Sequence, residues 1–320
     1  MDDFKLNEDR FFDPNPIVRD YAREIYKSIK NLPIISPHGH VDPNIFVSNT
    51  PFPHPTQLFI IPDHYVFRML YSLGVSLESL GIPSKNGIQV ESDPKKIWQI
   101  FADNYYLFAG TPSGVWLDYE FNIVFGIKEK LNGKNALKIY DQLQEKINTP
   151  EFLPRALFEK FNIELLATTD FATDTLEPHQ KLKESGWKGR IIPSFRPDDV
   201  TDLSNALWND NIKRLGKIVG YELTSFDKYI KALEERRVYF KSMGATATDH
   251  GIVSPYTHEL SKNKVEEIFQ RALKGKSSNQ DADLFTAHML MEMARMSSED
   301  GMTMQIHPGS FRNHNKIIFD

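Results

Sequence analysis

Apolar residues recur along this chain in two rhythms. After Asn15-Pro16, the apolar positions Ile17, Val18, Tyr21, Ile25 and Ile29 are spaced one to four apart, which is the pattern of one helix face. A proline in the first turn suits the start of that helix. The helix leads directly into a short apolar run, Leu32-Pro33-Ile34-Ile35, which reads as the first strand. Helical spacing then dominates residues 50–150, most clearly at 96–108 and 136–147, broken by Pro and Gly and without a convincing strand. The rhythm changes again afterwards. Short apolar runs at 163–167, 190–193, 244–247 and 302–306 read as buried strands, separated by helical segments at 176–184, 227–243, 264–273 and 283–296. Buried strands alternating with helices predict parallel βα units. Three regions are expected: 1–50 with the first helix and strand, 51–150 as a helical insertion, and 151–320 with the remaining βα units.

Each predicted strand runs into side chains that carry charge or can hold a metal. The first is followed by Ser36-Pro37-His38-Gly39-His40. Residues i and i+2 of a strand point to the same side, so His38 and His40 could converge just beyond its carboxyl end. Two imidazoles on one centre suggest a metal ion; on these residues alone, a hydrogen-bonded loop pair is the alternative. The second strand runs into Thr168-Thr169-Asp170 and the third into Ser194-Phe195-Arg196-Pro197-Asp198. The fourth meets Thr248-Asp249-His250-Gly251, and the fifth His307-Pro308-Gly309 with Arg312 shortly after. Loops are polar in general, which would explain any one of these. That all five strands end on His, Asp or Arg points to an active site on the carboxyl face of a (β/α) barrel.

Composition narrows the chemistry. With 320 residues, 40% of them hydrophobic, the chain can bury a sizeable core. Its 38 basic residues against 43 acidic ones include no basic run, so no footprint for nucleic acid is present. Cysteine is absent, which excludes disulfides and thiolate metal sites; a transition metal must be held by His, Asp or Glu. The start, MDDFKLNEDRFF, is too charged for a signal peptide, and no apolar run approaches membrane-spanning length. A cytoplasmic protein that does not engage a membrane is expected.

The stretches LPIISPHGHVDP, PDHYVFRML, GTPSGVWLDYEF, ATTDFATDTLEPHQ, IIPSFRPDD, GATATDHG and MQIHPGSFRNHN resemble, in order and over nearly the whole chain, the uronate (glucuronate) isomerase family of the amidohydrolase superfamily. The resemblance implies an α/β fold, a TIM-type (β/α)8 barrel with a helical insertion after strand 1. A closed barrel needs eight strands, and only five are counted before Asp320. The chain is therefore expected to be truncated after about five strands, without the family's eighth-strand aspartate ligand and the arginine after it. Slow or absent turnover is expected in consequence, unless another carboxylate such as Asp249 or Asp170 serves as ligand.

By resemblance, His38 and His40 are ligands of a single divalent metal, with zinc the expected ion, and His307 lies at or beside it. Arg196 is placed to grip a sugar-acid carboxylate, with Arg312 a second candidate; a surface salt bridge is the plainer role for Arg196. Asp249 matches a residue near the sugar hydroxyls, although an aspartate there could simply cap a turn. Tyr65 matches a tyrosine tied to proton transfer, and His64 lies beside the substrate. Trp116 and Glu120 are read as parts of the insertion. His54, His179, His258, His288 and His314 are read as structural or solvent-facing, and His250 as pointing away from the site. The implied reaction interconverts D-glucuronate and D-fructuronate, with Tyr65, Asp249 and His307 as candidate proton carriers. A homo-oligomer and a hexuronic acid are the expected partners. Two alternatives stand: a metal-dependent hydrolase of the same superfamily, which the absence of a lysine at Ala247-Thr248-Asp249-His250 disfavours, and a non-catalytic barrel used for binding or assembly.

Overall fold

Five strands, β1 (Ile34–Ser36), β2 (Ile163–Phe171), β3 (Arg190–Arg196), β4 (Ala247–Ile252) and β5 (Thr303–Pro308), form one parallel sheet whose spatial order follows the chain. They come from a computed structural model that describes residues 3–85, 87–309, 315, 316 and 318. Each crossover carries helices, as parallel neighbours require. The α/β class with parallel strands is therefore as the sequence predicts.

Strand boundaries differ from expectation in an informative way. β2 and β3 continue through the polar residues expected to follow them, because the ladder pairs Thr168 with Pro193, Asp170 with Phe195 and Phe171 with Arg196. The fourth strand is displaced. Residues 244–246 are not part of it: Gly244, at φ 102°, ends the helix Phe226–Ser242, and the Ala245 amide donates back to the Phe240 carbonyl. Glycine takes this left-handed turn without Cβ strain. Asp249 consequently lies within β4 rather than beyond it. A further helix, Trp208–Val219, stands outside the predicted segments, although Trp208, Ile212 and Leu215 do give it a buried face.

The chain divides into two units. One contains Pro33–Ser48 and Ile163–Arg312, and hence the whole sheet. Its main core is aromatic, with Phe195, Tyr229, Phe240, Phe269 and Phe285 all fully buried. Burying each such side chain contributes roughly 1.5–3 kcal/mol, which anchors β3 and its neighbouring helices and so fixes the strand ends. The other unit comprises the described residues of Met1–Leu32, Asn49–Asn162 and Asn313–Asp320. It is helical, with no strand among its described residues, and packs around Trp98, Phe101, Phe108 and Phe121. Trp98 donates its indole N–H to the Ala136 carbonyl at 2.9 Å, so the buried ring leaves no polar atom unsatisfied. The first helix forms as predicted, Pro16–Ile29, capped by the Asn15 side chain. Its apolar stripe is not buried, however: Ile17, Tyr21 and Ile25 are each about two-thirds exposed.

Candidate active site

β1 delivers its two histidines through a tight passage. A Cβ on Gly39 would stand 3.0 Å from the Ala167 carbonyl of β2, and the Thr169 hydroxyl donates to the Gly39 carbonyl at 3.0 Å. Glycine between the histidines thus lets the loop lie against the neighbouring strand. The His38 and His40 rings meet edge to face with centroids 4.9 Å apart. His38 also stacks on His307 of β5 at 4.6 Å, and its Nδ1 lies 3.2 Å from Gln305 Oε1. Gln305 in turn donates to the Pro37 carbonyl. The carboxyl ends of the first and fifth strands therefore meet.

Asp249 completes the cluster. Its carboxylate is almost wholly buried, with Oδ1 3.2 Å from His307 Nε2 and Oδ2 3.3 Å from Arg196 Nη1. One ligand atom each from His38, Asp249 and His307 lie within 4.8 Å of one another. A tetrahedral ion with bonds near 2.1 Å holds its ligand atoms roughly 3.4 Å apart, so a small closure of this set would seat one. Imidazoles with one carboxylate also form a donor set suited to zinc. His38, His40, Arg196, Asp249, Gly251 and His307 all line a single cavity of about 240 Å³.

Arg196 is held on two sides. Its Nε donates to Asp198 Oδ2 at 2.7 Å while Nη1 reaches Asp249. The Gly251 amide of β4 donates to that same Asp198 oxygen at 3.0 Å. Burial raises the Asp198 pKa, against the opposing pull of Arg196. Asp198 and Gly251 appear in the predicted strand-end runs, but neither was singled out there. No local pattern marks either, because Asp198 follows the end of β3 and Gly251 acts through its backbone amide.

A second polar cluster occupies the end of β2. The Thr168 hydroxyl donates to Asp170 Oδ2 at 2.6 Å and lies 2.8 Å from His179 Nε2; the carboxylate and imidazole are 3.8 Å apart. All three are buried. Burial pushes the Asp170 carboxyl up to about 7 and the His179 imidazole down to about 4. His179 Nδ1 has no partner. Asp170 is thus committed to this cluster, and among the described residues it is Asp249 that stands with the histidines.

The remaining residues sort as follows. His64 and Tyr65 open the helix His64–Tyr71 in the helical unit, where Asp63 accepts from the Tyr65 and Val66 amides. Their rings are 4.2 Å apart, and Tyr65 meets Trp116 edge-on at 6.0 Å. Glu120 has its carboxyl pushed up to about 7 by burial, with the Asp63 carboxylate adding to the shift. His54 Nδ1 accepts from the Gln57 amide, and His288 Nδ1 from the Leu260 amide. His258, a surface residue, stacks on Tyr256. His250 is buried against Thr248 at 2.8 Å, and burial drives its imidazole down to about 3. Arg312 and His314 lie outside the described residues. No helix among the described residues is long and apolar enough to cross a membrane.

Comparison with known proteins adds a family context. A family model described as glucuronate isomerase matches residues 7–320. The uronate isomerase of Nostoc punctiforme is 51% identical over 316 residues, covering 98% of this chain and 66% of that protein. That of Brucella canis is 48% identical, with coverage of 98% and 67%. Among solved structures, glucuronate isomerase from Caulobacter crescentus superposes with a TM-score of 0.94 at 46% identity, covering 98% of this chain and 65% of the other. Uronate isomerase from Thermotoga maritima gives 0.89 at 26% identity, with coverage of 98% and 66%. The chain thus spans about two-thirds of the length of these relatives.

Proposed function

The chain belongs to the glucuronate isomerase family, and from that premise we propose that it interconverts D-glucuronate and D-fructuronate at a single divalent-metal site. The observation that carries this reading is the meeting of His38, Asp249 and His307 in one small cavity with Arg196. His38, His40, His307 and Asp249 would hold the metal, with zinc the ion that best matches the donors. When bound, the ion supplies Lewis acidity toward sugar oxygens.

The chain's own residues carry the rest. Arg196 binds the substrate carboxylate, using guanidinium N–H donors that Asp198 and Asp249 leave available. The isomerisation moves a proton from C2 to C1 through a cis-enediol while the O1 and O2 protons redistribute. Tyr65, together with the Asp249 oxygen and the His307 nitrogen not committed to the ion, would carry the protons; His64 and Arg312 assist in holding the open-chain sugar. Holding the reacting atoms in register is itself a large part of such catalysis. A cytoplasmic homo-oligomer acting on a hexuronic acid is the setting that accords with this chemistry.

The test is direct. Purified chain supplemented with zinc is incubated with D-glucuronate, and formation of the ketose is followed together with exchange of the C2 proton into D2O. Ketose accumulation that disappears in His38→Ala supports the proposal. Metal-loaded chain that produces neither ketose nor exchange overturns it.

A further inference from the structure

Among the described residues that line the cavity, Arg196 is the cation placed for a uronate carboxylate, yet it emerges from β3 beside two carboxylates that could each draw it away. Its orientation is set by a residue that does not line that cavity. Asp198 Oδ2 accepts from Arg196 Nε at 2.7 Å and from the Gly251 amide at 3.0 Å, so one oxygen ties the guanidinium of β3 to the backbone of β4. From this anchor, Nη1 reaches Asp249 Oδ2 at 3.3 Å. Gly251 makes room for the arrangement. A Cβ there would stand 2.4 Å from Arg196 Nη2 and 2.9 Å from Asp198 Oδ2, closer than real Cβ contacts come. Gly251 is in a strand, where alanine is otherwise tolerated, so the demand for glycine comes from the space and not from a turn.

We propose that Asp198 is a positioning residue, and Gly251 the gap that admits it: together they aim the Arg196 guanidinium at the substrate carboxylate and hold it against Asp249. Asp198 never touches substrate. It acts by removing the freedom of a long side chain before binding, which conserves affinity that ordering would otherwise cost.

The proposal rests on the isomerase reading for its kinetic arm and stands apart from it for its structural arm. With zinc-supplemented full chain, Asp198→Ala and Gly251→Ala should each raise the KM for D-glucuronate about tenfold while kcat changes less than about threefold, the pattern of lost binding shared by ground and transition states. Asp198→Glu should recover part of the loss. Placed in an Arg196→Lys background, Asp198→Ala should add little, because residues acting through one contact are not additive. Full additivity, or a fall in kcat with KM unchanged, overturns the proposal. The crystal structure of Asp198→Ala decides it without activity: the guanidinium should leave Asp249 Oδ2. If wild type turns over no hexuronate, the isomerase reading fails and this structure alone judges the positioning claim; an Arg196 unmoved in the variant refutes it.

Discussion

At the end of β2, Thr168, Asp170 and His179 close on one another; at the ends of β1, β4 and β5, His38, Asp249 and His307 close on a cavity. Both clusters contain an aspartate and a histidine at the carboxyl end of the same sheet. The first is assembled locally, from two strand residues and a histidine eleven positions after Thr168, and among the described residues no lysine or arginine pairs with it. Burial therefore drives both titratable groups toward their neutral forms. The second is assembled from distant parts of the chain and includes Arg196, whose charge lets Asp249 remain buried beside it. A sealed neutral cluster stiffens a strand end. A charged cluster that faces a cavity keeps donor atoms available for a ligand.

The comparison breaks most visibly at the metal. His38→Ala and Asp249→Ala should each weaken zinc binding by at least the roughly 10–100-fold that loss of even an outer-shell partner costs, as read from metal content after dialysis. Asp170→Ala should leave metal content unchanged. Parallel losses in all three variants would erase the distinction between the clusters.

Stability should report the opposite asymmetry. Thr168→Val strips both Asp170 and His179 of their shared hydroxyl and should cost about 1–3 kcal/mol, the usual penalty for a buried group left unpaired, measured by denaturant unfolding. Zinc affinity should not move. A smaller effect is expected from Arg196→Lys, which keeps the charge but loses the fork. It should raise the KM for D-glucuronate on the order of tenfold, since an ammonium cannot make two parallel bonds to a carboxylate.

Much of this contrast could be read from residues, and part could not. Alternating apolar runs and helices gave the parallel βα order, and His38, His40, Asp249 and His307 stood out as strand-end residues of the right chemistry. The displaced β4 was not legible, because 244–247 is as apolar as a strand and only backbone geometry at Gly244 shows the helix ending there. His179 looked like an ordinary helix residue; its link to Thr168 depends on how the helix Glu177–Glu184 packs back on β2. Asp198 was hidden for a related reason, since its role lies in a bond to another strand's amide. Local pattern marks which side chains end a strand. Tertiary packing decides which of them face a cavity.

The two clusters also differ in how stability varies with pH. Asp170 has its folded pKa raised from 3.8 to about 7, so it favours stability below pH 4 and that contribution is lost as pH rises toward 7. His179 is lowered from 6.5 to about 4, so its contribution increases over nearly the same range. The two trends oppose each other in the wild type. Asp170→Asn leaves only that of His179, so the stability of the variant relative to wild type should climb between pH 4 and 7. A difference that stays flat across thermal melts at those pH values would show that the pair does not hold its protons as described.

We propose that His38, Asp249 and His307 hold one divalent ion beside Arg196. Anomalous diffraction at the zinc edge, from crystals of the chain grown with stoichiometric zinc, tests it most directly. A single strong peak is expected within bonding distance of one His38 nitrogen, one Asp249 oxygen and one His307 nitrogen. A peak at the Asp170–His179 cluster, or none between β1, β4 and β5, would contradict it.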